Sequence, residues 1–374
     1  MMFKRAALSS AALVLMSGAA SAGGIEWLSP SDGVGLLFQK GRYAEFSLGY
    51  AKPSVSGTAV PLAGGRSSGN MAKSYTPYSL GLKLPIGPKF DFAFTVSAPD
   101  GADVNYPTGT FYPYAGSTAK ITETEYKALL RYKIDPNFSV YGGLRLNQAK
   151  GTAHIVAAPA LNYTLSTNTA SDTGYLLGVA YEKPEIALRV ALTYSSPIKH
   201  SFDATEGFVG GPTGIPSQFE TTLPKSWTLD FQTGVAPTWL LFGSVEWREW
   251  KAFDISPVYY TAAAGGALVS YNDNTITYTL GVGHKFTDTL SGAVSIGYEK
   301  SNGGFSGNLG PTNGYTSLTL AMIYTKDHMK ITTGVSYYDI GNAKTENPYA
   351  PGTTLSNFNN NHQVAVGVKV GYSF

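Results

Sequence analysis

The chain has no cysteine among its 374 residues, so no disulfide framework supports it. It is short of charge: Asp, Glu, Lys and Arg make up 14%, against roughly 25% in an ordinary soluble domain. The formal net charge is only +2. That argues against a nucleic-acid partner, which needs a clustered basic face. No stretch downstream of the N-terminus approaches the ~20 consecutive apolar residues of a membrane-crossing helix. There are five histidines, and no pair has zinc-ligand spacing. No Gly-x-Ser-x-Gly elbow occurs. No metal and no cofactor is expected. An enzyme such as an outer-membrane lipase is disfavoured, although a catalytic group assembled in space leaves no sequence trace.

Glycine (43) and tyrosine (25) are abundant. Few charges with many glycines and aromatics fit a surface that meets lipid, and also a plain soluble all-β protein. The N-terminus reads as a signal peptide over residues 1–22. Lys4 and Arg5 form its basic start, Ala6 to Met16 its apolar stretch, and Ala20-Ser21-Ala22 its cleavage site. The competing reading, a short membrane anchor, suffers from insufficient length.

Periodicity decides the class. Backwards from Phe374, every second residue is apolar: Tyr372, Val370, Val368, Val366, Val364. Strand side chains alternate faces, so one face is apolar and the other small or polar. The same two-faced pattern recurs from Ala44/Phe46/Leu48/Tyr50 to Ile331/Val335/Tyr337. Fourteen strands are counted. Tight links such as Asp135-Pro136-Asn137 and Ala236-Pro237-Thr238 alternate with long segments, among them 148–173 and 196–224. Short turns on one side, long loops on the other and an even strand number are the marks of an outer-membrane barrel. The predicted fold is therefore an all-β, 14-stranded antiparallel transmembrane β-barrel spanning residues 42–374, in a bacterial outer membrane. Closure also follows from lipid itself, where every backbone polar group needs an internal partner.

The inward faces carry Glu45, Asp91, Arg131, Arg145 and Glu246, but also Leu129, Tyr141, Leu176 and Phe242. Two readings fit: a restricted, partly apolar conduit, or simple interior packing. Residues 23–41 contain Trp27, Leu28, Leu36, Leu37 and Phe38. They read either as a hatch tucked into the barrel or as an interfacial tail. Two predicted external loops are apolar, one through Ile155, Val156 and Leu161, the other through Phe202, Phe208 and Phe219. These form either a landing groove for a hydrophobic ligand or a lid of packed loops. Strand three runs into Pro99-Asp100-Gly101. Proline removes a ladder donor there, giving a gap in the wall or an ordinary strand exit.

Several runs together resemble the FadL/TodX-type outer-membrane transporters of long-chain fatty acids and other hydrophobic compounds. They are Gly41-Arg42-Tyr43-Ala44-Glu45, Ala98-Pro99-Asp100-Gly101-Ala102, Leu130-Arg131-Tyr132-Lys133, Val140 to Arg145, Ala180 to Arg189, Asn308 to Thr312, and Val366 to Phe374. The resemblance implies passive uptake through a barrel with an N-terminal plug. It also implies a lateral exit at a kink in strand three, where Pro99, Asp100 and Gly101 stand. It places Arg145 and Lys150 in the stretch that meets a fatty acid carboxylate. The family's Asn-Pro-Ala signature is absent between Gly23 and Gly41, which shortens the hatch. The expected partners are a long-chain fatty acid or other hydrophobic small molecule and outer-membrane lipid, with a monomer favoured. The alternatives are a diffusion porin for small polar solutes and a surface adhesin or phage receptor.

Overall fold

The computed structural model describes Ile25, residues 33–157 and residues 161–374. The signal segment, Trp27 and Leu28 lie outside the described residues. Fourteen strands close into one antiparallel barrel. They are β1 (Tyr43–Ser54), β2 (Tyr78–Ile86), β3 (Phe90–Ser97), β4 (Thr118–Lys133), β5 (Phe138–Ala157), β6 (Ala170–Lys183) and β7 (Leu188–Ser195). The second half comprises β8 (Ser226–Ala236), β9 (Trp239–Arg248), β10 (Thr275–Lys285), β11 (Leu290–Glu299), β12 (Tyr315–Lys326), β13 (Met329–Ile340) and β14 (Asn361–Ser373). Closure is made by β1 and β14, paired without interruption from Tyr43↔Ser373 to Ser54↔His362. No strand edge is left along this seam, as hydrocarbon demands.

Alternation sets the faces as the sequence predicts. Leu80, Leu130, Leu177, Leu280, Leu320 and Val366 are exposed on the outer wall. Glu45, Asp91, Arg131, Leu129, Tyr141 and Leu176 are buried inside. Aromatic rings cluster near strand ends: Phe90 on Tyr132, Phe138 on Tyr181, Tyr194 on Trp227. They fit the interfacial girdles of such barrels. On the turn side, Gly87 takes a positive φ of 64° between β2 and β3. Glycine adopts that conformation without steric cost.

The segments 148–173 and 196–224 are not loops over most of their length. β5 continues to Ala157 and folds back through Leu161–Thr167. Ile198–Phe208 pairs with Leu161–Thr167 on one side and with Ile215–Leu223 on the other. A sheet thus projects beyond the barrel mouth. Its alternation was muted in the sequence because Gly151, Ala153 and Ala157 supply little contrast with their neighbours. Ile155 and Phe202 are accordingly buried rather than displayed to water.

Candidate functional site

The barrel interior is layered. In the half nearer the tight turns, a 3₁₀ turn, Val34–Phe38, crosses the lumen. Val34, Leu36, Leu37 and Phe38 pack on Ala93, Leu129, Tyr141 and Leu176. The Phe38 ring lies between two guanidiniums, 4.4 Å from Arg131 and 4.5 Å from Arg189. It also meets Tyr141 edge-on at 5.9 Å. Tyr141 fits because Gly178 faces it; a Cβ there would stand 2.2 Å from the ring. The charges around this plug are paired. Lys83 reaches Asp91 at 2.6 Å and Gly41 O at 3.0 Å, Lys133 reaches Asp91 at 2.7 Å, and Arg131 bonds Glu182.

Above it lies a polar layer. Glu125 accepts from Arg145 Nη2 at 2.7 Å and pairs with Lys127 at 2.9 Å. Arg145 Nη1 also donates to Ser196 O at 3.0 Å. Asp100 Oδ1 accepts from Arg248 Nη1 at 3.1 Å. Buried charges persist only where paired and hydrogen-bonded in this way.

Above the polar layer, under the external segments, is an apolar cavity of about 70 Å³, partly open to the exterior. Its walls are Ala119, Ile121, Ala149, Ala153, Leu165, Phe202, Phe219 and Leu223, with Phe253, Ile255, Leu268 and Leu309 above. Phe202 and Phe219 stack at 5.4 Å, held opposite one another by the Ile198–Phe208/Ile215–Leu223 register. Polar side chains are few at the inward faces: Glu123, His200, Thr167 and Thr221. His200 Nδ1 lies 2.9 Å from Asp172 Oδ2 and its Nε2 lies 2.9 Å from Asn147 Oδ1. Burial lowers the His200 pKa, with Asp172 opposing.

Beside the cavity the wall is broken. The β3/β4 ladder runs to Ser97↔Glu125 and restarts at Gly101↔Thr122. Three residues, Ala98, Pro99 and Asp100, therefore stand against two, Glu123 and Thr124. This is a β-bulge at a proline. On the other side the β2/β3 ladder ends at Ser79↔Ser97, and the next bridge joins Ala72 to Val104. Gly101 N–H donates to Ile25 O at 2.7 Å, so the N-terminal segment touches the bulge.

The roof is aromatic. Tyr106 stacks on Tyr112 at 5.3 Å, and Tyr163 meets Tyr260 at 5.0 Å. Glu206 Oε2 accepts from Tyr163 Oη at 2.8 Å and from the Tyr259 and Tyr260 N–H groups at 3.0 Å. Burial pushes the Tyr106 and Tyr163 hydroxyls up.

Of the residues singled out from sequence, Lys150, Phe202 and Phe219 line the cavity. Ile155 and Leu161 belong to the aromatic cap, and Phe208 packs on Tyr163. Val156 bonds through its backbone to Ser117 Oγ at 2.9 Å. Leu36, Leu37 and Phe38 sit in the lumen plug. Arg145 and Lys150 are not brought together. Arg145 points inward to Glu125, whereas Lys150 is exposed and, five residues on, falls on the other face of β5. Glu123, Thr221 and Phe253 were not singled out by sequence. Extending the β4 alternation back from Tyr126 puts Glu123 on the inward face, and nothing short of the fold brings Thr221 beside it.

Comparison with known proteins agrees with this architecture. No curated protein matches the chain in sequence. A Pseudomonas aeruginosa FadL homologue superposes with a TM-score of 0.72 at 15% identity, over 94% of this chain and 96% of that one. The P. putida toluene transporter TodX gives 0.65 at 11% identity, covering 90% of each chain. The Ralstonia pickettii toluene transporter TbuX gives 0.63 at 13%, again covering 90% of each. These likenesses concern the fold. The family model for outer membrane protein transport proteins (OMPP1/FadL/TodX) matches residues 11–302. The porin alternative is thereby set aside, and the chain belongs to this family of bacterial outer-membrane transport proteins.

Proposed function

We propose that the protein carries hydrophobic compounds passively across the outer membrane by way of the apolar cavity and the bulge beside it. The compound enters beneath the external cap and settles among Phe202, Phe219 and Phe253. It leaves sideways where Pro99, Asp100 and Gly101 interrupt the wall. The observation that carries this reading is the layering: an apolar cavity beside a broken ladder, with a polar layer and the Val34–Phe38 turn beneath. An apolar solute loses little by moving from the cavity into hydrocarbon, since both are dry. It gains nothing by crossing a layer of paired charges. In this reading residues 23–41 act as the hatch, and the working unit is the monomer. A fatty acid carboxylate finds no paired Arg145–Lys150 clamp, so the reading is of hydrophobic compounds as a class.

Trp250 supplies the test. It is fully buried, and its ring lies 5.5 Å from that of Phe253 at the cavity wall. In a variant retaining Trp250 as its single tryptophan, 1-bromododecane should quench fluorescence saturably in nanodiscs. Quenching that rises linearly with the bromoalkane in the lipid, without saturation, would contradict occupancy of the cavity.

A further inference from the structure

Among the described residues, two polar atoms at the cavity have no hydrogen-bond partner. Glu123 is 4% exposed, and its Oε1 accepts from Asn147 Nδ2, but its Oε2 is buried without a hydrogen bond. Thr221 is 5% exposed, and its Oγ1 is buried without one too. Both residues line the same cavity. The fold joins them through one chain of contacts. Thr221 is the register partner of His200, His200 Nε2 lies 2.9 Å from Asn147 Oδ1, and Asn147 bonds Glu123. Buried polar groups are nearly always paired in native structures, so two at one apolar cavity call for an explanation.

We infer that Glu123 and Thr221 are the head-group site of this cavity, and that it selects neutral hydrophobic compounds carrying a hydroxyl. Such a group is the smallest that donates and accepts at once. It donates a hydrogen bond to Glu123 Oε2 and accepts one from Thr221 Oγ1, while the alkyl or aromatic body lies against Phe202 and Phe219. A carboxylate ligand meets the opposite situation. The inward faces of the cavity present Glu123; Lys120 and Lys150 also border the cavity, both with exposed side chains. Lys120 and Lys150 fall on the outward faces of β4 and β5, and Arg145 is bound to Glu125 in the layer below. An anion would enter a desolvated place beside the Glu123, Glu125 and Asp100 carboxyl groups. A plain alkane would leave both polar atoms unpaired, with the loss that entails.

The inference rests on the cavity being the compound's binding place, and the experiment separates the two. 1-Dodecanol, dodecane and dodecanoate at pH 8 compete with 1-bromododecane quenching of Trp250, with Glu123→Gln and Thr221→Val beside the parent. Effects are read as variant-to-parent ratios, so partition into the nanodisc lipid cancels. In the parent, dodecanol should displace the quencher about tenfold more effectively than either of the other two. Glu123→Gln keeps an oxygen for Asn147 and turns the free oxygen into an amide donor. Dodecanoate should then gain about tenfold relative to dodecanol. Thr221→Val is nearly isosteric; it should weaken dodecanol about three- to tenfold and leave dodecane unchanged. Dodecanoate ranking first in the parent, or a dodecanol-to-dodecanoate ratio unmoved by Glu123→Gln, overturns the head-group assignment while the cavity stands. Failure of 1-bromododecane itself to quench saturably removes the cavity reading and the inference with it.

Discussion

Replacing Phe38 with alanine should unlatch the lumen. The ring is 6% exposed, stands between the Arg131 and Arg189 guanidiniums, and abuts Tyr141. Deleting a buried phenyl ring to alanine costs about 3–5 kcal/mol in well-packed surroundings. Two cation–π contacts in a desolvated place contribute to that loss, at about 1–2 kcal/mol each. Arg131 keeps Glu182 and Ser139, so the loss falls on docking of the Val34–Phe38 turn and not on the barrel wall. A loss of about 4 kcal/mol raises the undocked-to-docked ratio about a thousandfold. Planar-bilayer recording reads this as the fraction of time a channel conducts small ions. A parent that opens rarely should give a variant with frequent, resolvable openings of the same unit size. A Phe38→Ala protein that is still a heat-modifiable barrel, yet as silent as the parent, would refute the idea that this turn seals the lumen.

Further outcomes follow from the same packing. Gly178→Ala should lower the urea midpoint in detergent, because the new Cβ meets the Tyr141 ring and overpacking costs about 1–3 kcal/mol; an unchanged midpoint would mean that the ring moves freely. Arg145→Met should destabilise by about 3–5 kcal/mol, since it strips Glu125 Oε2 of both Arg145 N–H donors and leaves Lys127 alone. The same change should leave dodecane displacement untouched, because Arg145 lies below the cavity. His200 should titrate below the ordinary histidine midpoint of about 6.5 in a proton-resolved NMR titration. Burial penalises its charged form more than Asp172 favours it, and a midpoint above that value would contradict this sign.

The barrel was legible in the sequence because lipid on one side and packing on the other enforce period two over whole strands, as in Val364 to Phe374. The bulge was legible too, since Pro99-Asp100-Gly101 halts a clean alternation of phenylalanines. The projecting sheet was not, because Gly151, Ala153 and Ala157 alternate without contrast and the segment around 196–224 is rich in glycine and proline. Arg145 and Lys150 could have been separated by parity alone, as an odd spacing puts them on opposite faces of one strand. The cavity was beyond reach for another reason. Glu123, Thr221 and Phe253 come from distant strands and loops, and only closure of the cylinder sets them around one space.

Lateral exit through the bulge is the central claim, and a single deletion addresses it. Removing Pro99 leaves two residues against Glu123 and Thr124, which allows the β3/β4 ladder to run unbroken from Phe90 to Asn105. Stopped-flow entry of 1-bromododecane into proteoliposomes should fall at least about tenfold in this variant, while saturable quenching of Trp250 persists. Entry at the parental rate through a sealed wall would contradict the account.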